Sequence, residues 1–127
     1  MKNLTIIILG FLFLAACTKE NVTNSLQWTI GDETDLEMTK TFNSNGNTSF
    51  FFKTEDSELC PTHGVQVIVK EGNNELLNEE IVTHPSSFEV EIPLNSSIEI
   101  STKIVELNPQ PFILCKRLGE VKCIADF

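Results

Sequence analysis

The chain has 127 residues, a formal net charge of −9 and 41% hydrophobic residues. This length suits one domain with a single core. The negative charge argues against nucleic acid as a partner and against electrostatic docking to anionic lipid, because both attract basic surfaces. The acidic residues are spread along the chain, which is typical of a surface that keeps a protein soluble.

The first predicted element is an apolar segment behind a positive charge. Lys2 precedes the run from Leu4 to Ala16, which reads LTIIILGFLFLAA. As a helix this run would rise only ~20 Å, short of the ~30 Å hydrocarbon core of a bilayer. Its length therefore predicts a secretory signal peptide rather than a permanent membrane span.

The run ends in Leu14-Ala15-Ala16-Cys17, which resembles the lipobox of bacterial lipoproteins. The resemblance implies that residues 1–16 are a cleaved signal peptide and that Cys17 carries lipid. Two or more acyl chains anchor a protein stably, and lipoproteins of this kind carry up to three. Thr18 stands where Asp would favour inner-membrane retention. We therefore expect a bacterial cell-envelope protein, anchored in the outer membrane on its periplasmic or surface face.

The polar stretch TKENVTNS follows the lipobox and lacks periodicity. Residues 17–25 are therefore predicted to be the lipidated cysteine and a flexible tether. Residues 26–127 are predicted to form the folded domain.

This body is predicted to be all-β. Val65, Val67 and Val69 occupy alternate positions, as do Phe88 and Val90, and side chains two apart share one face of a strand. Turn signals such as Asn-Gly and His-Pro separate the runs. Strands are expected near 26–30, 36–43, 48–54, 64–71, 75–83, 87–93, 97–107, 111–117 and 120–126. Residues 75–83 have a helical alternative, because ELLNEEI contains good helix formers.

Eight or nine short strands at this spacing predict a single two-sheet antiparallel β-sandwich. The stretch from Gly64 to Thr102 resembles immunoglobulin-like or transthyretin-like bacterial modules in its succession of strands and turns. The resemblance implies a fold only, and no binding residues are carried over from those families.

Three cysteines remain in the body, and an exported compartment permits disulfides. A turn at 118–120 between two paired strands would place Cys115 opposite Cys123, within bonding reach. We therefore predict a Cys115–Cys123 disulfide. Cys60 is then a free thiol, or the partner of one of the other two.

Two constellations offer candidate chemistry. Cys60-Pro61-Thr62-His63 brings a thiol near an imidazole, as in a nucleophile pair or half of a metal site, although no matching ligand pair occurs elsewhere. The second is acidic. If Asn45-Gly46 closes a tight hairpin, two carboxylate clusters meet at one pole and form a candidate calcium site. Its ligands would be Asp32, Glu33, Asp35, Glu55, Asp56 and Glu58. The alternative is two solvated acidic loops.

Trp28 and the triplet Phe50–Phe52 suggest either core residues or an aromatic platform for a glycan or peptide. No catalytic triad, paired-carboxylate motif or phosphate loop is evident, so the sequence predicts a non-enzyme that needs no cofactor. We expect a lipid-anchored envelope module that binds or scaffolds a protein or glycan partner. The alternative is a surface-held inhibitor of a secreted enzyme such as a lysozyme or a protease, with Lys116–Lys122 as a constrained loop.

Overall fold

A computed structural model describes residues 24–55, 58–108 and 111–127. These residues form eight strands and no helix: β1 Ser25–Gly31, β2 Glu37–Asn43, β3 Ser49–Thr54, β4 His63–Glu71, β5 Asn74–Ile81, β6 Ser86–Glu91, β7 Ser97–Glu106 and β8 Glu120–Asp126. The all-β prediction is confirmed. Residues 75–83, for which a helix was the alternative, contribute most of β5.

The strands form two antiparallel four-stranded sheets, ordered β1-β8-β3-β6 and β2-β7-β4-β5. The predicted sandwich is therefore confirmed. Successive strands mostly alternate between sheets, so β2 and β3 do not pair with each other. The hairpin expected at Asn45-Gly46 is wrong, since this turn connects one sheet to the other.

The predicted strand at 111–117 is also absent. These residues belong to the connection between β7 and β8. Across 24–55, 58–108 and 111–127 there is no helix of sufficient length and apolarity to cross a membrane. The predicted signal peptide, Cys17 and nearly all of the predicted tether lie outside the described residues.

Alternation along the strands builds the core. Phe50 and Phe52 point inward from β3 and are fully buried, whereas Phe51 between them points outward. Trp28 lies against Phe52, with their ring centroids 6.1 Å apart. Its indole N–H donates to the buried Thr102 hydroxyl at 2.9 Å, which links the two sheets through a satisfied polar contact.

The sandwich has two poles. The proximal pole is the end where the described chain begins, and Asn24 pairs there with Phe127 through two backbone hydrogen bonds. The distal pole is the opposite end, which holds the described connecting residues 32–36, 55, 58–62, 82–85, 107–108 and 111–119. Ser25 pairs with Asp126 near the first pole and Gly31 pairs with Glu120 near the second. Seven residues of β1 separate the poles by roughly 20 Å.

Candidate binding surface

The segment 111–119, which precedes β8, is held to the body of the domain by a disulfide. Cys115 is bonded to Cys60, with 6.0 Å between their Cα atoms. The predicted Cys115–Cys123 pairing is wrong, because 111–117 is not a strand facing β8. Cys123 is a free thiol that points into the core from β8. Burial raises the pKa of this thiol to about 12.

The residues directly before Cys115 present apolar side chains to solvent. Phe112 and Leu114 are fully exposed, at 106% and 99%, and Ile113 is 46% exposed. Lys116 and Arg117 follow after Cys115. We name residues Pro111–Leu118 the distal loop. Contiguous exposed apolar groups of this kind on a soluble domain commonly mark a site of interaction.

The base of the distal loop is fixed by backbone contacts. The Cys60 amide donates to the Leu118 carbonyl at 2.7 Å, and Leu118 packs against the core. Gly119 follows in a left-handed conformation with φ +87°, and any Cβ there would collide with the Glu58 carbonyl. Only glycine allows this close approach of two chain segments, so the loop leaves the body at a set position.

Asp32, in the β1–β2 connection, holds the end of the distal loop through hydrogen bonds. Asp32 accepts hydrogen bonds from the Gly119 amide at 3.2 Å and from Arg117 Nε at 3.3 Å. Glu33 forms a second ion pair with Arg117. The Gly119 hydrogen bond, helped by Arg117, lowers the pKa of Asp32, and the two carboxylates raise the pKa of Arg117.

The candidate calcium ligands are not assembled as predicted. The acidic residues after β1 and those after β3 lie on opposite sides of the start of β8. On one side Asp32 pairs with Arg117, and on the other Glu55 lies 3.7 Å from Lys122. Among the described residues no group of three or more acidic, histidine or cysteine side chains is placed to hold a metal ion. Of the predicted ligands, Asp56 lies outside those residues. The hairpin that motivated this site does not form, and basic side chains already neutralise part of its charge.

The Cys60-His63 constellation has no free thiol. The disulfide occupies Cys60 Sγ, so it can act neither as a thiolate nucleophile nor as a metal ligand. The Thr62 hydroxyl lies 3.2 Å from this sulfur and 2.8 Å from His63 Nδ1. A cleft of about 320 Å³ separates these residues from the distal loop.

His84 occupies another distal connection, before a cis proline. Its Nδ1 lies 2.8 Å from the Thr54 hydroxyl oxygen, while Nε2 is buried without a hydrogen-bond partner among the described residues. Burial lowers the pKa of this imidazole below 6.5. Burial therefore favours the neutral form of the His84 imidazole.

The aromatic platform is not present. Trp28, Phe50 and Phe52 are core residues, and only Phe51 of the triplet is exposed, at 44%. The apolar surface lies instead at Phe112–Leu114. A strand was predicted there, although the run PFILCKR joins apolar and basic residues and is followed closely by Gly119.

No protein-family model and no curated protein matches this sequence. Among solved structures, the chain is similar to the Yersinia pseudotuberculosis-derived mitogen, with 12% identity, 82% of this chain and 84% of that one covered, and a TM-score of 0.45. It is also similar to PliG of Aeromonas hydrophila, a periplasmic inhibitor of g-type lysozyme. That comparison has 8% identity, 84% and 85% coverage and a TM-score of 0.41. These are distant similarities of architecture.

Proposed function

We propose that the protein is a lipid-anchored binding module of the bacterial cell envelope that presents its distal loop to a protein partner. The role is one of binding rather than catalysis. The lipobox Leu14–Cys17 supports the anchor. The Cys60–Cys115 disulfide supports an oxidising compartment, because such bonds persist outside the cytosol.

The observation that carries this proposal is the position of the exposed apolar side chains. The described chain begins at the proximal pole, whereas Phe112 and Leu114 lie at the distal pole, about 20 Å farther along β1. An anchor at Cys17 therefore attaches to the end opposite the distal loop. The distal loop is then at the end of the domain farther from the point of attachment, which favours a protein partner over that membrane.

The distal loop has the composition of a binding anchor. Aromatic and aliphatic groups seated in a partner's pocket contribute most of the energy of many interfaces. Burying Phe112 or Leu114 fully would contribute about 1.5–3 kcal/mol each. Lys116 adds a positive charge at the rim. Because Cys115 pins the loop to the body, less conformational freedom is lost on binding.

The anchor and the loop are tested separately in cells that produce the full chain. Cys17→Ser should abolish palmitate labelling and release the protein from membranes, and continued labelling would disprove the anchor. A photo-reactive amino acid at Phe112 should cross-link one defined envelope protein. The same label at Leu94, an exposed apolar position at the proximal pole, is the matched control. Lipid adducts at Phe112, or equal protein adducts from both positions, would refute the proposed contact.

A second candidate function is inhibition of a secreted enzyme. The observation that favours it is the solvent exposure of the disulfide-held distal loop, which suits insertion into a cleft. Wild-type protein should then inhibit a secreted lysozyme or protease in a panel, and Phe112→Ser with Leu114→Ser should relieve the inhibition. Unchanged inhibition by this double variant would exclude the loop as the inhibitory element.

A further inference from the structure

The sandwich is open along one side, where its two sheets end in β5 and β6. Each strand pairs with a single neighbour, β5 with β4 and β6 with β3, so both carry unpaired backbone groups on their outer edge. A cleft of about 400 Å³ lies between these edges. Its lining comes from β5, β6 and the connection between them and does not include the distal loop.

The floor of the cleft is apolar. Leu77 and Ile81 lie opposite Val69 and Val65 of β4, so they project toward the opposing sheet. Phe88 projects inward from β6, opposite the buried Phe52. Leu77 and Phe88 are only partly buried, because no strand covers them at this edge.

One inward position on β5 is charged. Glu79 lies opposite the fully buried Val67 and between Leu77 and Ile81 on the same face. Glu80 and Glu89 also line the cleft. Its lining contains no basic residue, and none of the ion pairs among the described residues involves these three glutamates.

We propose that this cleft binds an extended segment of another protein that adds a strand to the free edge of β5. Strand addition uses the unpaired backbone groups for affinity and alternate side chains for specificity. The added strand would place an aliphatic residue beside Leu77, a lysine or arginine beside Glu79 and an aliphatic residue beside Ile81. The recognised pattern is therefore apolar-x-basic-x-apolar.

The same glutamate disfavours a second copy of this chain as the occupant. Antiparallel pairing of two β5 edges centred on this position would bring two Glu79 carboxylates together, and inward-pointing charges protect free edges from such pairing. A cationic segment instead neutralises the charge. This site is separate from the distal loop, so the two proposals fail or hold independently.

The probe is a pair of peptides, acetyl-Ser-Val-Thr-Lys-Thr-Val-Ser-amide and its counterpart with Glu for Lys, titrated into the purified protein. The lysine peptide should bind on the order of tenfold more tightly than the glutamate peptide. Its binding should slow hydrogen exchange at outward-facing amides of β5. Glu79→Lys should reverse the preference.

Glu91→Lys is the matched control, because Glu91 is an exposed residue of β6 that does not line the cleft, and the change in net charge is the same. It should leave the preference for lysine intact. The proposal is overturned if both variants weaken binding equally, if exchange slows away from β5 or if neither peptide binds. The proposal would also be overturned if sedimentation showed that the free protein is a dimer and hydrogen exchange placed the dimer contact at β5.

Discussion

Removing the Cys60–Cys115 disulfide tests the largest single constraint at the distal pole. The perturbation is the double variant Cys60→Ala with Cys115→Ala. Cys60 is buried and Cys115 is exposed, so alanine introduces no polar group into the core and removes little packing outside it.

The magnitude follows from the separation of 55 residues between the two cysteines. Cross-linking restricts the unfolded chain, and the loop-closure relation gives about 4 kcal/mol of stabilisation for a loop of this length. The pairing Cys115–Cys123 would close a much shorter loop, worth about 2.5 kcal/mol. If Cys115 were bonded to Cys123, Cys60→Ala alone would leave that disulfide and most of the stability in place.

Urea unfolding, followed by the fluorescence of the single tryptophan, measures the loss. We expect a loss of about 2–4 kcal/mol in the double variant, the same loss in reduced wild-type protein and no further effect of reductant on the variant. Cys123 should resist iodoacetamide until the protein unfolds, because the thiolate is the reactive form and burial raises its pKa to about 12. A loss below about 1 kcal/mol, or full stability of Cys60→Ala, would refute the loop-closure reasoning.

Three further predictions concern buried or strained groups. Thr102→Val should cost about 1–3 kcal/mol in urea unfolding, because the Trp28 indole N–H loses its buried acceptor, whereas Thr39→Val on the surface should cost little. Burial lowers the pKa of His84, so the unfolded chain binds the proton more readily and stability should fall as the pH drops below about 6.5. His84→Asn should reduce the change in melting temperature between about pH 7 and pH 5. An unchanged pH dependence would contradict a contribution from His84. Gly119→Ala should cost about 2 kcal/mol or more through its positive φ and the contact with the Glu58 carbonyl, and an unchanged unfolding midpoint would show that this contact is not tight.

Strand positions could be predicted because alternation is a local property. Val65, Val67 and Val69 share a buried face of β4 as their spacing indicates. The triplet Phe50–Phe52 has three consecutive apolar residues, yet only its middle member is exposed. One apolar residue on an outer face therefore conceals a regular strand pattern.

Strand pairing could not be predicted in the same way. The Asn45-Gly46 signal marks a turn correctly, and Asn45 has a positive φ of 46°. A turn does not determine whether the chain pairs back or crosses to the other sheet. Here Phe42 and Phe50 face each other across the core with ring centroids 5.2 Å apart, so burial of both rings favours the crossing.

The same limit explains why the disulfide pairing and the distal loop were not predicted. Assigning 111–117 to a strand placed Cys115 opposite Cys123 and assigned Phe112 and Leu114 to a sheet. In the fold, β8 pairs with β1 and β3, which leaves no edge for a strand from 111–117. The apolar residues of that run therefore remain in solvent.

The position of the distal loop relative to the start of β1 follows from topology rather than from side-chain detail. β1 and β8 are neighbours and run antiparallel, so β8 must begin where β1 ends. The connection that precedes β8 therefore lies at the pole opposite the start of β1. Any anchor upstream of Ser25 attaches to the proximal pole, and any side chain on the β7–β8 connection is carried to the distal one. Substitutions within Phe112–Leu114 consequently change the surface at the distal pole without changing where the loop leaves the domain.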